Sequence, residues 1–156
     1  MRHTISVLVE NKFGVLARIA GLFSARGYNI ASLAVSETLD PTISYMTIVV
    51  EAQDEKILEQ INKQLNKLID VITVTDFTKK EYIDRELVLA KVNYSAKDKA
   101  KLEAVFDKYI GKVIHHKGDI AIVEAVGEHT QIKSFLEELS KFGIKELVRT
   151  GKLAIS

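Results

Sequence analysis

Cysteine and tryptophan are absent from the 156 residues of the chain, and proline occurs once. The lack of cysteine excludes disulfides, thiolate zinc sites and thiol nucleophiles. One proline and eight glycines are too few for a linker or a low-complexity tail. No apolar run approaches the roughly eighteen residues of a membrane span, and residues 1–10 have the pattern of a strand rather than of a signal peptide. We therefore expect a compact cytoplasmic protein that does not enter a membrane.

An excess of charge of either sign is also lacking. The chain has 22 basic and 21 acidic residues, which give a formal net charge of +1. Proteins that bind DNA or RNA usually carry a strong basic surplus on one face. With 47% hydrophobic and 28% charged residues, the composition is that of an ordinary globular protein. The charge balance therefore argues against a nucleic-acid partner.

Strand and helix patterns follow one another in the first half of the chain in the order β-α-β-β-α-β. Strands show apolar residues at every second position, and helices show them on one face of a 3.6-residue period. The predicted elements are a strand through Ile5, Val7 and Val9, a helix over 15–26, a strand over 29–37, a strand through Met46, Ile48 and Val50, a helix through Ile57, Leu58, Ile61, Leu65 and Leu68, and a strand over 71–77. Gly27 is expected to end the first helix, Pro41 lies in a loop, and Asp54 can cap the second helix.

The same order then repeats after a short polar segment, residues 78–84. The predicted elements are a strand over 87–93, a helix carrying Leu102, Val105, Phe106 and Tyr109, a hairpin of 112–116 and 120–126, a helix carrying Ile132, Phe135, Leu136 and Leu139, a strand over 144–148 and a short strand over 153–155. Ser95 and Thr130 are the expected helix starts, Gly118 lies in the hairpin turn, and Gly143 ends the last helix. The sequence predicts an α+β fold of two tandem ferredoxin-like units, 1–77 and 85–156, joined by a linker at 78–84.

Each predicted unit is small, and a four-stranded sheet with both helices on one face leaves its other face uncovered. A domain of about 60 residues buries only about 60% of the surface that its unfolded chain exposes. The bare face and the sheet edges must be masked, either by the other unit or by a second protomer. We therefore expect at least a homodimer.

The link between the first strand and the first helix has the composition of a carboxylate-binding site. The first backbone N–H groups of a helix have no internal partner and lie at the positive end of the helix dipole. Gly14 would let a ligand approach this backbone closely, because it has no Cβ, and the side-chain amide of Asn11 can meet an ammonium or a carboxylate group. Val15, Leu16 and Ile30 would favour an aliphatic side chain. These residues predict a site for a free aliphatic amino acid, and the alternative is a tight turn with no ligand.

Longer segments of the chain resemble one family closely. The segments 10–16 and 26–30 look like the ligand loop of an ACT domain, the amino-acid-binding module of many biosynthetic enzymes. Over most of residues 2–77 the chain resembles the small regulatory subunit of acetohydroxyacid (acetolactate) synthase. The matching segments are Ile5-Ser6-Val7-Leu8-Val9-Glu10-Asn11, Gly21-Leu22-Phe23-Ser24-Ala25-Arg26-Gly27-Tyr28-Asn29-Ile30, Asp40-Pro41-Thr42, Met46-Thr47-Ile48 and Lys67-Leu68-Ile69-Asp70-Val71, and more weakly Asp84-Arg85-Glu86-Leu87, Gly111-Lys112-Val113-Ile114 and Arg149-Thr150-Gly151. Tyr45 departs from the pattern, since relatives commonly have a basic residue there.

The resemblance implies a non-catalytic regulatory subunit with no cofactor or metal of its own. Its partner would be a catalytic large subunit that carries thiamine diphosphate, magnesium and FAD and makes 2-acetolactate from pyruvate. The small subunit would activate that enzyme and impose feedback inhibition by a branched-chain amino acid, usually valine, bound between the ACT domains of two protomers. The expected effector-binding residues are Asn11, Lys12, Phe13, Gly14, Val15 and Leu16 of one protomer with Asn29 and Ile30 of the other.

Other functions find less support in the sequence. Adjacent residues of a strand point to opposite faces, so His115 and His116 are not expected to bind one metal ion. No pair of acidic residues has a spacing that indicates acid–base catalysis. The RNA-recognition fold shares this element order but displays aromatic residues on its central strands. In this chain Tyr45 is the only aromatic residue at such a position, which argues against RNA binding. A stand-alone amino-acid sensor for another partner is the remaining alternative.

Gly21, in the middle of the first helix, is expected to permit close packing, since glycine there costs about 1 kcal/mol against alanine.

Overall fold

The computed structural model describes residues 1–52 and 55–156. Its tertiary contacts divide the chain into two compact units, Met1–Ile83 with Lys152–Ser156, and Asp84–Gly151. In chain order the elements are β1 (Arg2–Glu10), α1 (Val15–Ser24), β2 (Asn29–Glu37), β3 (Ile43–Glu51), α2 (Glu55–Leu65), β4 (Val71–Asp76), β5 (Ile83–Asn93), α3 (Lys99–Tyr109), β6 (Lys112–Lys117), β7 (Ile120–Gly127), α4 (His129–Ser140), β8 (Ile144–Arg149) and β9 (Leu153–Ile155). The predicted α+β fold of two β-α-β-β-α-β units is confirmed.

The first unit is an antiparallel sheet with strand order β2-β3-β1-β4. Alternate residues of its strands point to one face, where they pack against α1 and α2. The buried core consists of Ile5, Val7, Val9, Val15, Ile19, Leu22, Phe23, Met46, Ile48, Val50, Leu58, Ile61 and Leu65. Burying one such side chain contributes about 1.5–3 kcal/mol. This layer fixes the position of the link between β1 and α1.

The opposite face of the first sheet is rich in hydroxyl groups. Ser6 of β1 lies between Thr47 of β3 and Thr75 of β4. The last residues of the chain cover part of this face: the Tyr45 hydroxyl donates to the carbonyl of Ala154 over 2.8 Å, and the Ala154 N–H donates to Thr47 Oγ1 over 3.3 Å. The predicted second range is 85–156; tertiary contacts group Lys152–Ser156 with the first unit, and β9 also pairs with β5.

The second unit repeats the arrangement with the strand order β6-β7-β5-β8. Its core consists of Val88, Ala90, Val92, Tyr94, Leu102, Val105, Phe106, Ala121, Val123, Ala125, Ile132, Phe135 and Leu139. The predicted hairpin is confirmed: Lys117 pairs with Ile120, and Gly118 has φ +60°, as a tight hairpin turn requires.

A carboxylate is buried in the second unit. Glu86 is 1% exposed; its Oε1 accepts a hydrogen bond from Arg149 Nε at 2.6 Å, and its Oε2 lies 2.8 Å from His129 Nδ1. Burial alone would raise the pKa of Glu86, but the hydrogen bonds from Arg149 and His129 outweigh it and hold the pKa below its usual value. Both carboxylate oxygens are therefore satisfied in the ionised form.

Several helix ends differ from the expectations. Helix α1 ends at Ser24 rather than Arg26, and α3 begins at Lys99 with Asp98 as N-cap. Ser95, the predicted cap, instead lies in the preceding turn, where its carbonyl accepts the N–H groups of Asp98 and Lys99. The predicted cap Asp54 lies outside the described residues.

Gly21 does not serve close packing. A Cβ built on this exposed residue would meet no atom within 4 Å. The packing explanation drawn from the sequence is therefore wrong, because the middle of α1 turns this position towards open space.

Candidate functional site

The loop of residues 11–14 carries the predicted site, and its geometry is set by Gly14. This residue is the N-cap of α1 and has φ 80° and ψ −4°, in the left-handed region that glycine enters without steric cost. Helix α1 begins at once with Val15, and the Arg18 N–H donates to the Gly14 carbonyl over 3.0 Å. Within the described chain, the N–H groups of Leu16 and Ala17 have no acceptor. The loop thus presents free backbone donors at the positive end of a helix.

Backbone hydrogen bonds hold this loop to the two neighbouring loops. The Asn11 N–H donates to the Thr42 carbonyl over 2.7 Å, and the Glu10 N–H donates to the Asp70 carbonyl over 2.8 Å. The Asn11 side-chain amide donates to the Pro41 carbonyl over 2.9 Å. One N–H of the amide that the sequence offered to a ligand is therefore used to position the loop, and its carbonyl oxygen remains an acceptor.

Arg18 is the residue that the sequence analysis missed. Its Nη1 lies 3.0 Å from the point where a Cβ on Gly14 would stand. The same guanidinium is held by Asp70, whose Oδ2 accepts from Nε at 2.9 Å and from Nη2 at 2.6 Å. Arg18 follows Gly14 by four residues, and residues at this spacing lie on one side of a helix. The pair could therefore have been predicted from this spacing in the sequence. A cation thus stands beside the residue that opens α1.

The other predicted residues of the loop have different environments. Lys12 lies 2.6 Å from Glu10 Oε2, and this hydrogen bond and the Glu10 charge raise the pKa of Lys12. The Phe13 side chain is fully exposed, Leu16 is 43% exposed, and Val15 is buried in the core. Of the two helix residues, Leu16 rather than Val15 therefore has an apolar side chain at the surface near Gly14.

Asn29 and Ile30 lie at the other end of the sheet. Asn29 pairs with Glu51, which in turn pairs with Arg2 at the start of β1, and the Asn29 amide donates to Glu51 Oε2 over 2.9 Å. The loop 11–14 follows the opposite end of β1. The length of β2 separates the two groups by roughly 27 Å at about 3.4 Å per residue. A single chain therefore does not bring Asn29 and Ile30 together with the loop.

Metal binding and membrane insertion concern the histidines of β6 and the helices. In residues 1–52 and 55–156, no group of three or more His, Asp or Glu side chains is placed to hold a metal ion. His115 pairs with Ile122 and His116 with Ala121 on the exposed strand β6, and His116 contacts the Tyr94 ring edge-to-face with centroids 5.0 Å apart. None of the helices described here combines the length and apolar character that crossing a bilayer requires.

The fold of the first unit, with a glycine at the start of its first helix, is that of an ACT domain. A family model described as the AHAS small subunit-like ACT domain matches residues 5–73, and a second, the small subunit of acetolactate synthase, matches residues 85–156. The chain belongs to the acetolactate synthase small-subunit family.

Relatives support this assignment over the whole chain. A protein of Archaeoglobus fulgidus named probable acetolactate synthase small subunit is 44% identical over 155 residues, which cover 99% of this chain and 96% of the relative. The acetolactate synthase small subunit of Bacillus subtilis is 38% identical over 156 residues, covering 100% of this chain and 91% of the relative. The crystal structure of the small subunit from Thermotoga maritima superposes with a TM-score of 0.89 at 35% identity, covering 99% of this chain and 96% of that one.

Proposed function

We propose that this chain is the non-catalytic regulatory subunit of an acetolactate synthase and that it binds a branched-chain amino acid, valine, at loop 11–14. The observation that carries the proposal is made at Gly14: this residue opens α1, whose first N–H groups are free, and Arg18 Nη1 lies 3.0 Å from the place of a Cβ on it. Both are donors suited to a carboxylate. Family membership supplies the expectation that the chain works with a catalytic large subunit.

The two ends of an amino acid would meet different parts of the loop. The carboxylate would accept hydrogen bonds from the N–H groups of Leu16 and Ala17 and from Arg18. The ammonium group would donate to the side-chain carbonyl oxygen of Asn11, whose amide nitrogen is already bonded to Pro41. The exposed part of Leu16 would contact the aliphatic side chain of the ligand.

A second protomer would complete this pocket. Strand β2 is an edge strand of the sheet, and its Glu37 end lies beside the loop, because Glu37 pairs with Ser44 next to the pair formed by Glu10 and Ile43. If β2 pairs antiparallel with β2 of a second copy, the partner's Asn29 and Ile30 arrive at that end. Asn29 and Ile30 lie roughly 27 Å from loop 11–14 of their own chain, but in such a dimer they would lie close to loop 11–14 of the partner.

The regulatory effect would be a coupling between this seam and the catalytic subunit. A ligand shifts an equilibrium only through its different affinity for the two states, and coupling energies are typically about 1–3 kcal/mol. Occupation of the loop would favour a less active holoenzyme, which gives feedback inhibition, and the free small subunit would favour the active state. Thiamine diphosphate, magnesium and FAD would belong to the large subunit, where pyruvate becomes 2-acetolactate.

The substitution Gly14→Asp tests the site. Aspartate tolerates left-handed backbone better than most residues, and its carboxylate would occupy the place proposed for that of the ligand, next to Arg18. We expect the variant to fold and to activate the large subunit, while valine no longer inhibits it. Gly118→Asp is a matched control, because Gly118 also has a positive φ and a Cβ there meets no atom within 4 Å. Normal inhibition of the Gly14→Asp holoenzyme by valine would show that the site lies elsewhere.

The alternative, a stand-alone sensor for another partner, is separated by the identity of the partner. Capture of proteins from the native cell extract on the tagged chain should recover a thiamine-dependent large subunit. Recovery of a different partner without the large subunit would favour the alternative. Calorimetric titration with valine, isoleucine and leucine would rank the effectors, since one methylene changes affinity by only about 1–3 kcal/mol.

A further inference from the structure

Asp70 is tied to the proposed effector loop by both its backbone and its side chain. It lies immediately before β4, and its carbonyl accepts the N–H of Glu10, the last residue of β1, at 2.8 Å. Its Oδ2 accepts from Arg18 Nε at 2.9 Å and from Nη2 at 2.6 Å. The Asp70 side chain is 19% exposed, against 49% for that of Arg18. The better covered carboxylate therefore orients the more exposed guanidinium.

This pairing leaves one nitrogen of the guanidinium available. Nε and Nη2 of Arg18 both donate to Asp70, whereas Nη1 has no acceptor among the residues that the structure describes. Nη1 lies 3.0 Å from the place of a Cβ on Gly14. Because a guanidinium is planar and its donors form a rigid fork, fixing two of its nitrogens also fixes the third. Asp70 thus holds the remaining nitrogen beside the residue that opens α1.

The ion pairs at the loop cancel one another in charge. Lys12 Nζ lies 2.6 Å from Glu10 Oε2, and Arg18 Nη2 lies 2.6 Å from Asp70 Oδ2. Each of these two cations is thus balanced by a carboxylate. A second anion that approaches such a cation is also repelled by the carboxylate already paired with it. The loop therefore offers donors to a carboxylate without offering an excess of positive charge.

We infer that Asp70 is the specificity-determining residue of the proposed effector site, and that it makes loop 11–14 select a zwitterionic amino acid over a carboxylic or 2-oxo acid of the same carbon skeleton. The inference rests on the function proposed above. The ligand carboxylate binds Arg18 Nη1 while Asp70 occupies the other two nitrogens, so two carboxylates share one guanidinium. An ammonium group next to the ligand carboxylate offsets their repulsion, and a ligand without that group bears it in full. Specificity of this kind depends on a penalty against the wrong ligand as well as on contacts to the right one.

A purely structural role for Asp70 has a different signature. If Asp70 only held Arg18 in place, its removal would weaken the binding of every carboxylate ligand by the same factor. Isovalerate is valine without its amino group and keeps the carboxylate and the branched side chain. The ratio of the dissociation constants of isovalerate and valine therefore reports the charge of Asp70, because a change in the position of Arg18 cancels in it.

The test is calorimetric titration of the full chain and its Asp70→Asn variant with valine and with isovalerate. Asparagine keeps the size of the side chain and an acceptor for Arg18 but removes the negative charge. We expect the preference for valine to fall roughly tenfold in this variant, whereas Asp70→Glu, which keeps the charge, should retain it. Glu55→Gln is the matched control, because Glu55 is paired with Lys79 at 2.8 Å, beyond the other end of β4. It should leave both affinities unchanged.

The remaining outcomes separate this inference from the proposed function. The same preference in the Asp70→Asn variant as in the original chain, or an equal fall in Glu55→Gln, would overturn the role of Asp70. Isovalerate that bound the original chain as tightly as valine would overturn it without any variant. Valine that did not bind the original chain would contradict the effector site itself, and the role of Asp70 would fall with it. Asn11 contributes to the preference in every chain tested, so the change between variants isolates Asp70.

Discussion

The hydroxyl group of Tyr45 donates a hydrogen bond to the backbone carbonyl of Ala154, 109 positions further along the chain and 2.8 Å away. Together with the bond from the Ala154 N–H to Thr47, it holds the short strand β9 against the first sheet. The resemblance had pointed to Tyr45 as a departure from a basic residue. The structure gives the tyrosine a role of its own, as an anchor for the end of the chain.

Removal of this hydroxyl should loosen β9. A hydrogen bond of this kind contributes about 1 kcal/mol, so Tyr45→Phe should increase amide exchange in residues 152–156 about fivefold. Hydrogen–deuterium exchange with mass spectrometry measures this. Tyr28→Phe is the control, because the Tyr28 hydroxyl makes no hydrogen bond with the described residues. Equal exchange in both variants would mean that Tyr45 does not anchor the segment.

Two glycines of the same region should respond in opposite directions to alanine. Gly21 lies inside α1 with open space around it, so Gly21→Ala should stabilise the first unit by about 0.5–1 kcal/mol. Gly14 has φ 80° and the Arg18 guanidinium 3.0 Å from the position of a Cβ, so Gly14→Ala should destabilise it by about 1–2 kcal/mol. Urea denaturation of both variants provides the comparison, and destabilisation by Gly21→Ala would contradict it.

The buried carboxylate of Glu86 should make the second unit sensitive to acid. Its pKa is lower in the folded chain than in the unfolded chain, so its contribution is fully present above about pH 4.3, the ordinary value for glutamate, and is lost as the pH falls through the folded pKa. Glu86→Gln should cost about 1.5–3 kcal/mol at neutral pH, because hydrogen bonds to charged groups are lost.

The difference between Glu86→Gln and the original chain should shrink as the pH falls below about 4. Urea denaturation at several pH values between 3 and 7 measures it. Glu137→Gln, at an exposed position of α4, should leave the stability profile where it is. A difference for Glu86→Gln that stayed constant over this range would exclude the ionised carboxylate as its source.

Arg18 should contribute to effector binding. Arg18→Gln removes a charged donor beside Gly14, and the loss of such a bond, about 1.5–3 kcal/mol, should weaken valine binding at least roughly tenfold. Its exposed pair with Asp70 contributes at most about 1 kcal/mol to stability, so the fold should persist. Arg26→Gln, two residues after the end of α1 and bonded to Gln64, is the control in the calorimetric titration. Equal affinities for the two variants would remove Arg18 from the site.

The parts of the fold that the sequence predicted are those set by local patterns. Alternation identified β1 and β3, whose apolar residues at every second position form part of the buried core, and the hairpin around Gly118 follows from its turn residues. Arg18 was missed because its position depends on Asp70, which is 52 residues away in the chain. The role of Gly21 was predicted wrongly because the sequence pattern shows that a glycine lies inside the helix. The pattern does not show which atoms, if any, face that position.

The same limit applies to the candidate site. The loop and its glycine could be found from the strand-to-helix transition, and the left-handed backbone of Gly14 agrees with the use of glycine there. The commitment of the Asn11 amide to Pro41 could not be foreseen, since it depends on the register of β1 against β3. The return of Lys152–Ser156 to the first unit is likewise a contact between distant segments, which local patterns do not encode.

That return affects how the chain would respond to a protease. A cut within residues 78–84 would separate the backbone of β1 to β4 from that of the second unit, but β9 would stay covalently attached to the latter. Since β9 is bonded to Tyr45 and Thr47, these bonds would become a non-covalent contact between the two fragments. Native and denaturing electrophoresis of a nicked preparation would therefore measure how firmly β9 is held.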